Sequence, residues 1–251
     1  MGWSRDKKLY EKTAEFLTKR NIDFYLWFPV FSETGALKGL SPLVDFEGRQ
    51  IINRGKHEEE DFSFCCPNSS ENIEKILEIF EREFASIKFN GIFLDKIRYP
   101  SFANGNGQRT VFSCFCPHCR ETYEKEQLDV ELLKKALVCP TGLGGPSLLS
   151  GQTPMGISSY RGCGEYVFDN PVLSRFFEIK ACIIFKSLER ICRYFRDRNY
   201  GIGLDVFAPF LSPFVGQDLD AFSGLCDFIK PMMYRATVAP AGLPFETDAL
   251  R

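Results

Sequence analysis

One stretch of the sequence passes from apolar residues to a dense group of charges. Residues 89–100, FNGIFLDKIRYP, begin as a strand that is apolar on both faces and then place Asp95, Lys96 and Arg98 within four positions. A carboxylate beside two cations is favoured in its ionised form. An ionised carboxylate can act as a nucleophile or a general base, so Asp95 is the first candidate for catalysis.

Three further apolar stretches carry functional side chains at the corresponding point. Asp205 lies near the end of IGLDVF, Lys230 and Tyr234 flank PMM in FIKPMMY, and Trp27 lies in YLWFPVF. Two carboxylates suit cleavage of a glycosidic bond, where one protonates the leaving oxygen and the other acts as nucleophile or activates water. We therefore predict Asp95 and Asp205 as catalytic residues. The predicted substrate-binding residues are Trp27, Lys96, Arg98, Lys230 and Tyr234.

Each of these residues also has a purely structural interpretation. Asp95 and Arg98 can form an ion pair that only supports the strand end. Asp205 can bond a loop, and Trp27 can belong to the core. The general acid stays open at this point, and Glu33 in FSETG is a further candidate, with a solvated loop position as its alternative.

Cysteines are dense in the segment CFCPHC. Cys114, Cys116 and Cys119 have a spacing typical of metal ligands, and a chain without a secretory signal favours zinc over disulfides. A closed structural zinc site needs a fourth ligand, for which we select Cys66 in CCPNSS, with Cys65 as the next candidate. Reduced free thiols and a redox pair are the alternatives.

Apolar periodicity predicts alternating helices and strands along one domain of residues 1–251. The predicted helices are 6–20, 71–86, 119–137, 171–199 and 218–225, and the predicted strands are 22–31, 89–95, 200–210 and 226–234. Such alternation predicts an α/β fold with a parallel sheet. Residues 101–168, rich in cysteine and glycine, interrupt it and are predicted to be an insertion that carries the zinc site.

The predicted sheet is assigned to a TIM-type (β/α) barrel. No glycine-rich phosphate loop follows any predicted strand, which weakens the alternative of a doubly wound nucleotide-binding sheet. In barrels the carboxyl ends of the strands build the active site, so the charged residues above are expected at one rim. Only about four strong strands are found where a barrel needs eight. Either further strands lie in the loops, or the barrel is incomplete in this chain.

The composition of the chain limits the classes of partner that it is expected to bind. The 251 residues carry a formal net charge of -2, with basic and acidic residues interspersed, which argues against nucleic acid or an anionic membrane as a partner. No apolar run reaches the roughly 18–20 residues of a membrane span. The chain is therefore expected to be cytoplasmic, and no motif indicates an organic cofactor.

Four segments resemble a known family. GIFLDKIRYPS, CPNSSENIEKIL, CFCPHC and DVFAPFLSPFVGQDLDAFSGLCDFIKPMMY are similar to glycoside-hydrolase-like TIM-barrel proteins, whose hallmark is a strand ending in Leu-Asp-x-Ile-Arg-Tyr-Pro. The resemblance implies a carbohydrate-active barrel with Asp95 as the leading catalytic carboxylate. The cysteine pattern is also similar to the structural zinc site of some barrel β-galactosidases, by analogy only.

The sequence therefore predicts a glycoside hydrolase that acts on an oligo- or polysaccharide. A non-catalytic carbohydrate-binding or assembly module is the main alternative. A deacetylase with a metal in its pocket is a third, which four cysteine ligands disfavour because catalytic zinc keeps an open position. Strand edges of an incomplete barrel are expected to pair in a homo-oligomer or with an additional chain segment.

Overall fold

The computed structural model describes residues 6–33, 39–51, 63–101, 108–138, 157–160, 165–236 and 242–244. The strands are β1 (Tyr25–Pro29), β2 (Ser32–Glu33), β3 (Ser63–Phe64), β4 (Gly91–Asp95), β5 (Ile157–Tyr160), β6 (Tyr166–Phe168), β7 (Gly201–Phe207) and β8 (Phe228–Met232). The helices are α1 (Lys7–Thr18), α2 (Ser70–Glu83), α3 (Gln108–Val111), α4 (Pro117–Lys125), α5 (Val130–Val138), α6 (Pro171–Arg196) and α7 (Leu219–Phe222).

A parallel sheet of four strands is the centre of the fold. Its order is β1-β4-β7-β8, and every neighbouring pair is parallel. Each pair of neighbours is joined through a helix, α2, α6 or α7, which confirms the predicted α/β class. The sheet does not close within the described residues, so a complete barrel stays a prediction.

The helices begin where polar side chains cap them. Ser69 accepts a hydrogen bond from the Asn72 amide at the start of α2, and Asn170 does the same for Val172 before α6. The caps satisfy amides that the first helical turn leaves unpaired. Proline follows Asn170 directly, at a position where its fixed φ suits helix initiation.

The predicted helix 119–137 is wrong as a single element. The chain forms α4 and α5 instead, and Gln127 between them has a left-handed φ of 54° that no continuous helix allows. The Asp129 carboxylate then accepts a hydrogen bond from the Leu132 amide and begins α5. Apolar spacing continues across this break, which is why periodicity alone predicted one helix.

One face of the sheet is covered by α2 and α6. Phe28 of β1 contacts the rings of Phe80 in α2 and Phe195 in α6, whose own ring centroids are 4.8 Å apart. Leu94 is paired with Phe28 in register and is fully buried on the same face. Burying this layer of large apolar side chains is the main favourable contribution to folding.

The opposite face carries aromatic rings laid over glycines. Phe93 stacks on Phe228 at 5.9 Å, and the Phe228 ring lies so close to Gly203 that a Cβ there would be 2.3 Å from it. Phe228 remains 43% exposed. Parallel sheets are normally covered on both faces, so this face is the one that the interior of a barrel would use.

Among the residues described, no helix has the length and apolar character that crossing a membrane requires.

Gly91 is where the sheet tolerates no side chain. A Cβ at Gly91 would lie 2.5 Å from the Gly201 carbonyl oxygen and 2.1 Å from the Tyr25 ring. We expect Gly91→Ala to destabilise the protein by roughly 1–3 kcal/mol through overpacking. Gly224→Ala is the matched control, because its Cβ would meet nothing closer than 3.9 Å. Equal thermal midpoints for the two variants would contradict this account of the sheet.

Candidate active site and cysteine cluster

The sheet register brings the predicted catalytic residues together. Asp205 is paired with Lys230 across β7 and β8. Leu94 is paired with Leu204, so Asp95 comes beside Asp205 one position further along both strands. Side chains at corresponding positions of neighbouring strands point to the same face. Asp95, Asp205 and Lys230 therefore form one row at the carboxyl ends of three strands, which we call the strand-end row.

Asp205 is the best defined member of this row. Its carboxylate is 5% exposed and accepts hydrogen bonds from the Lys230 Nζ at 3.0 and 3.2 Å. Burial raises the pKa of Asp205 to about 6, the Lys230 bond opposes that rise, and the negative charge of Asp95 adds to it. Asp205 can thus carry a proton near neutral pH, the property of the general acid that the sequence did not identify.

Lys230 connects the Asp205 carboxylate to Tyr234. Its Nζ also donates to the Tyr234 hydroxyl at 2.7 Å, and Tyr234 is partly exposed. Burial lowers the pKa of Lys230, but its bonds to Tyr234 and Asp205 outweigh this and raise the pKa overall. Lys230 is therefore a stable cation that fixes the orientation of Asp205.

Asp95 is held by a constrained backbone. Its carboxylate is 7% exposed and accepts a hydrogen bond from the Lys96 amide at 2.6 Å. Lys96 has a left-handed φ of 53°, a conformation that side chains other than glycine rarely adopt and that often occurs at functional sites. The Asp95 carboxylate is therefore held against this turn at the end of β4.

Arg98 and Trp27 lie outside the strand-end row. Arg98 is almost wholly buried between the rings of Phe64 and Phe207, 4.8 and 4.2 Å from its guanidinium carbon, and its charge lowers the pKa of Asp205. Trp27 is half-buried and paired with Phe93, two residues before the level of Asp95. Contact of Arg98, Trp27, Lys96 and Tyr234 with a substrate stays a prediction.

Glu33, the alternative acid, has a structural contact instead. Its carboxylate accepts a hydrogen bond from the Leu40 amide at 2.9 Å. This bond joins the end of β2 to the backbone at Leu40. The raised pKa at Asp205 makes that residue the better candidate for the acid.

Gln217 is a residue that sequence reasoning missed. It is buried, its Oε1 accepts a hydrogen bond from the Phe207 amide, and its Nε2 donates to the Ile97 carbonyl. It therefore ties the segments that follow β4 and β7 to each other beneath the strand-end row. Its segment, VGQDLD, carries no pattern that would have marked it.

A cavity of about 860 Å³ lies elsewhere, between α6 and the chain that follows β7. Tyr166, Phe177, Glu178 and Asp218 are among its lining residues. The residues of the strand-end row do not line it, so we treat it as separate from the candidate active site.

The second cluster is formed by the four predicted cysteine ligands. The sulfurs of Cys66, Cys114, Cys116 and Cys119 lie within 4.8 Å of one another, and all four residues are buried. Cys66 is 3.4 Å from Cys116 and 3.5 Å from Cys119 between sulfurs. These residues could hold a metal ion. Cys65 is buried but lies outside the group, which agrees with the choice of its neighbour as the fourth ligand.

Backbone amides and hydroxyls support this cysteine cluster. The Cys114 sulfur accepts hydrogen bonds from the amides of Val44 and Cys116, at 3.3 and 3.4 Å. The Tyr123 hydroxyl donates to the Cys114 carbonyl at 2.8 Å. Hydrogen bonds from the other three thiols hold the pKa of Cys116 well below its usual range, whereas hydrogen bonds within the cluster and burial raise the pKa values of Cys66 and Cys119. The cluster therefore favours the thiolate form, in which cysteine binds metals, at Cys116.

Comparison with known proteins gives one structural likeness to report. No protein-family model matches the chain, and no curated protein matches it. The chain is similar to the PgaB (BpsB) glycoside hydrolase domain from Bordetella bronchiseptica, with a TM-score of 0.56 and 17% sequence identity over 90% of this chain. The match covers 55% of that domain, so the chain spans about half its length. At this identity the likeness concerns the fold alone, a mixed α/β architecture with a parallel sheet.

The strand-end row makes the pKa of Asp205 sensitive to its two charged neighbours in opposite directions. Lys230→Met removes a bond that lowers this pKa, so we expect the pKa to rise above about 6. Asp95→Asn removes a charge that raises it, so we expect a lower value. Carboxyl carbon chemical shifts followed by NMR against pH measure both, with exposed Lys186→Met as the control. Shifts of the same sign in both variants would contradict the proposed geometry.

Proposed function

We propose that this protein is a glycoside hydrolase that cleaves an oligo- or polysaccharide at the strand-end row. The observation that carries the proposal is the pair of buried carboxylates on neighbouring strands, one of which has its pKa raised to about 6. Hydrolysis of a glycosidic bond uses such a pair of carboxyl groups, in which the acid has a raised pKa. The similarity of the fold to a glycoside hydrolase domain supports the same class.

In this proposal Asp205 is the acid and Asp95 the nucleophile. Asp205, protonated, donates its proton to the glycosidic oxygen while the Asp95 carboxylate attacks the anomeric carbon. Neighbouring strands are about 4.8 Å apart, close to the ~5–5.5 Å between the carboxyl groups of retaining enzymes. We therefore propose retention of the anomeric configuration.

Lys230 supports the second half of the reaction. Once Asp205 has given up its proton, the ammonium 3.0 Å away stabilises the carboxylate. That carboxylate then takes a proton from the water that attacks the glycosyl-enzyme, which releases the sugar and restores the acid. Tyr234 and Trp27, with Lys96 and Arg98, are proposed to shape the subsites.

The parallel sheet is proposed to be half of a TIM-type barrel. Four strands in order, with their carboxyl ends bearing the reactive groups, match half of the eight strands of such a barrel. The edges β1 and β8 are proposed to pair with a further chain segment or a second copy of the chain. Residues 101–168 would be an insertion in this domain, and a cytoplasmic location stays a prediction.

The metal at the cysteine cluster is proposed to be a structural zinc ion. Tetrahedral zinc with Zn–S bonds of about 2.3 Å places its sulfurs ~3.8 Å apart. Two of the sulfur separations are 3.4 and 3.5 Å and all of them lie within 4.8 Å, a range that includes this value, and the donor set is purely thiol. The zinc would pin the start of α2 to the insertion, and the proposal needs no organic cofactor.

A carbohydrate-binding module is the second candidate, favoured by the open aromatic face of the sheet. Tyr25 and Phe93 both contact Phe228, and Phe228 is exposed. Flat aromatic surfaces suit the apolar faces of sugar rings. In this case binding of a glycan would survive substitution of Asp95.

The catalytic assignment predicts the effect of removing each carboxylate. We expect Asp205→Asn to lower kcat by ~10²–10⁴-fold, the usual contribution of a general acid, and Asp95→Asn to lower it at least as much. Release of reducing sugar from a broad panel of oligo- and polysaccharides measures this. The exposed Asp220→Asn variant is the control. Turnover that survives Asp95→Asn would contradict the assignment of Asp95 as a catalytic residue. Glycan binding without any turnover would favour the binding module.

The zinc proposal makes a contrast between neighbouring cysteines. Cys66→Ser removes one of the four sulfurs, so we expect loss of bound zinc and a lower thermal midpoint. Cys65→Ser changes a buried thiol outside the cluster and should keep the zinc. Elemental analysis and thermal unfolding measure both. Zinc retained in Cys66→Ser at the wild-type ratio would overturn the ligand assignment.

A further inference from the structure

Lys180 is a lysine in the interior of the protein with no place in the proposed reaction. It lies on α6 and is 0% exposed. Lysine is almost never fully buried unless something compensates its charge. Its burial therefore calls for a source of negative charge nearby.

The direct contacts of Lys180 are dipoles and rings. Its Nζ donates a hydrogen bond to the Val111 carbonyl and lies 4.3 Å from the centre of the Tyr99 ring and 5.3 Å from that of Phe176. Each of these is worth less to a buried cation than an anion would be. Within the described part of the chain, no carboxylate forms an ion pair with Lys180.

Contacts connect Lys180 to the cysteine cluster. Val111, which accepts its hydrogen bond, lies three residues before Cys114. Phe176, whose ring centre lies 5.3 Å from the ammonium, also stacks on Phe115, which stands between Cys114 and Cys116. Burial lowers the pKa of Lys180 to about 7, and negative charge at Cys114 and Cys119 would oppose that fall.

A divalent ion bound by four thiolates is a dianion. Such a net charge in a buried site is costly unless a cation offsets it. We propose that Lys180 is the counter-ion of the cysteine cluster: its ammonium offsets the net negative charge of the tetrathiolate site and so strengthens metal binding. This inference rests on the proposed zinc site.

The contacts of Lys180 also connect the proposed metal site to the strand-end motif LDKIRYP, residues 94–100. Tyr99, whose ring contacts the Lys180 ammonium, follows Asp95 by four residues, and its amide donates to the Val215 carbonyl. Tyr99 belongs to that motif, so Lys180 contacts the motif directly through this buried ring.

The test compares zinc affinities of purified full-length protein by competition with a chromophoric chelator. Lys180→Met keeps the length of the side chain and removes the charge, and we expect roughly 10- to 100-fold weaker zinc binding, as for other groups that support metal ligands. Lys186→Met, on the exposed side of the same helix, should bind zinc like the wild type.

Lys180→Gln separates the charge of the side chain from its hydrogen bond, because the glutamine amide can still donate to the Val111 carbonyl. If zinc affinity is as low in Lys180→Gln as in Lys180→Met, the result supports the counter-ion role. Wild-type zinc affinity in either neutral variant overturns that role. Substitution with Co²⁺ reports the sulfur-to-cobalt absorption of the site itself. A wild type without that absorption and without zinc would refute the zinc site, whereas a metal-binding wild type with unaffected variants would refute only the role of Lys180.

Discussion

The burial of the Asp205 carboxylate beside a second carboxylate is the constraint on which the candidate active site depends. Asp95 and Asp205 are adjacent because β4 and β7 are parallel and in this register. Burial disfavours the charged form of Asp205, and the negative charge of Asp95 adds to that effect. Lys230 opposes both effects through its hydrogen bonds, and the pKa of Asp205 still remains raised to about 6. The raised proton affinity of Asp205 therefore follows from its place in the sheet.

The cysteine cluster stabilises the segments on which that row rests. Cys66 immediately precedes the loop that caps α2, and α2 leads into β4 and Asp95. Cys114, Cys116 and Cys119 bring the chain after the strand-end motif back to the same point. The cluster thus brings the chain before α2 and the chain after β4 to one buried point.

The sequence predicted the elements better than their contacts. The strand regions 89–95 and 200–210 were recognisable because parallel strands are apolar on both faces, and Cys66 because a closed site needs a fourth ligand. The break at Gln127 was hidden, since apolar spacing continued through it. The hydrogen bond from Lys230 to Asp205 depends on the register between β7 and β8, and the burial of Lys180 depends on the elements that pack against α6. Neither feature could be predicted from the amino-acid sequence alone.

The pH dependence of kcat/KM tests the central claim most directly, because it reports the ionisation of the free enzyme. If Asp205 must be protonated, activity falls as the pH rises through about 6, since the pKa of Asp205 is about 6. Lys230→Met should move this fall to higher pH. Activity that instead rises from pH 6 to pH 8 would contradict the assignment of Asp205 as the acid and with it the proposed division of roles.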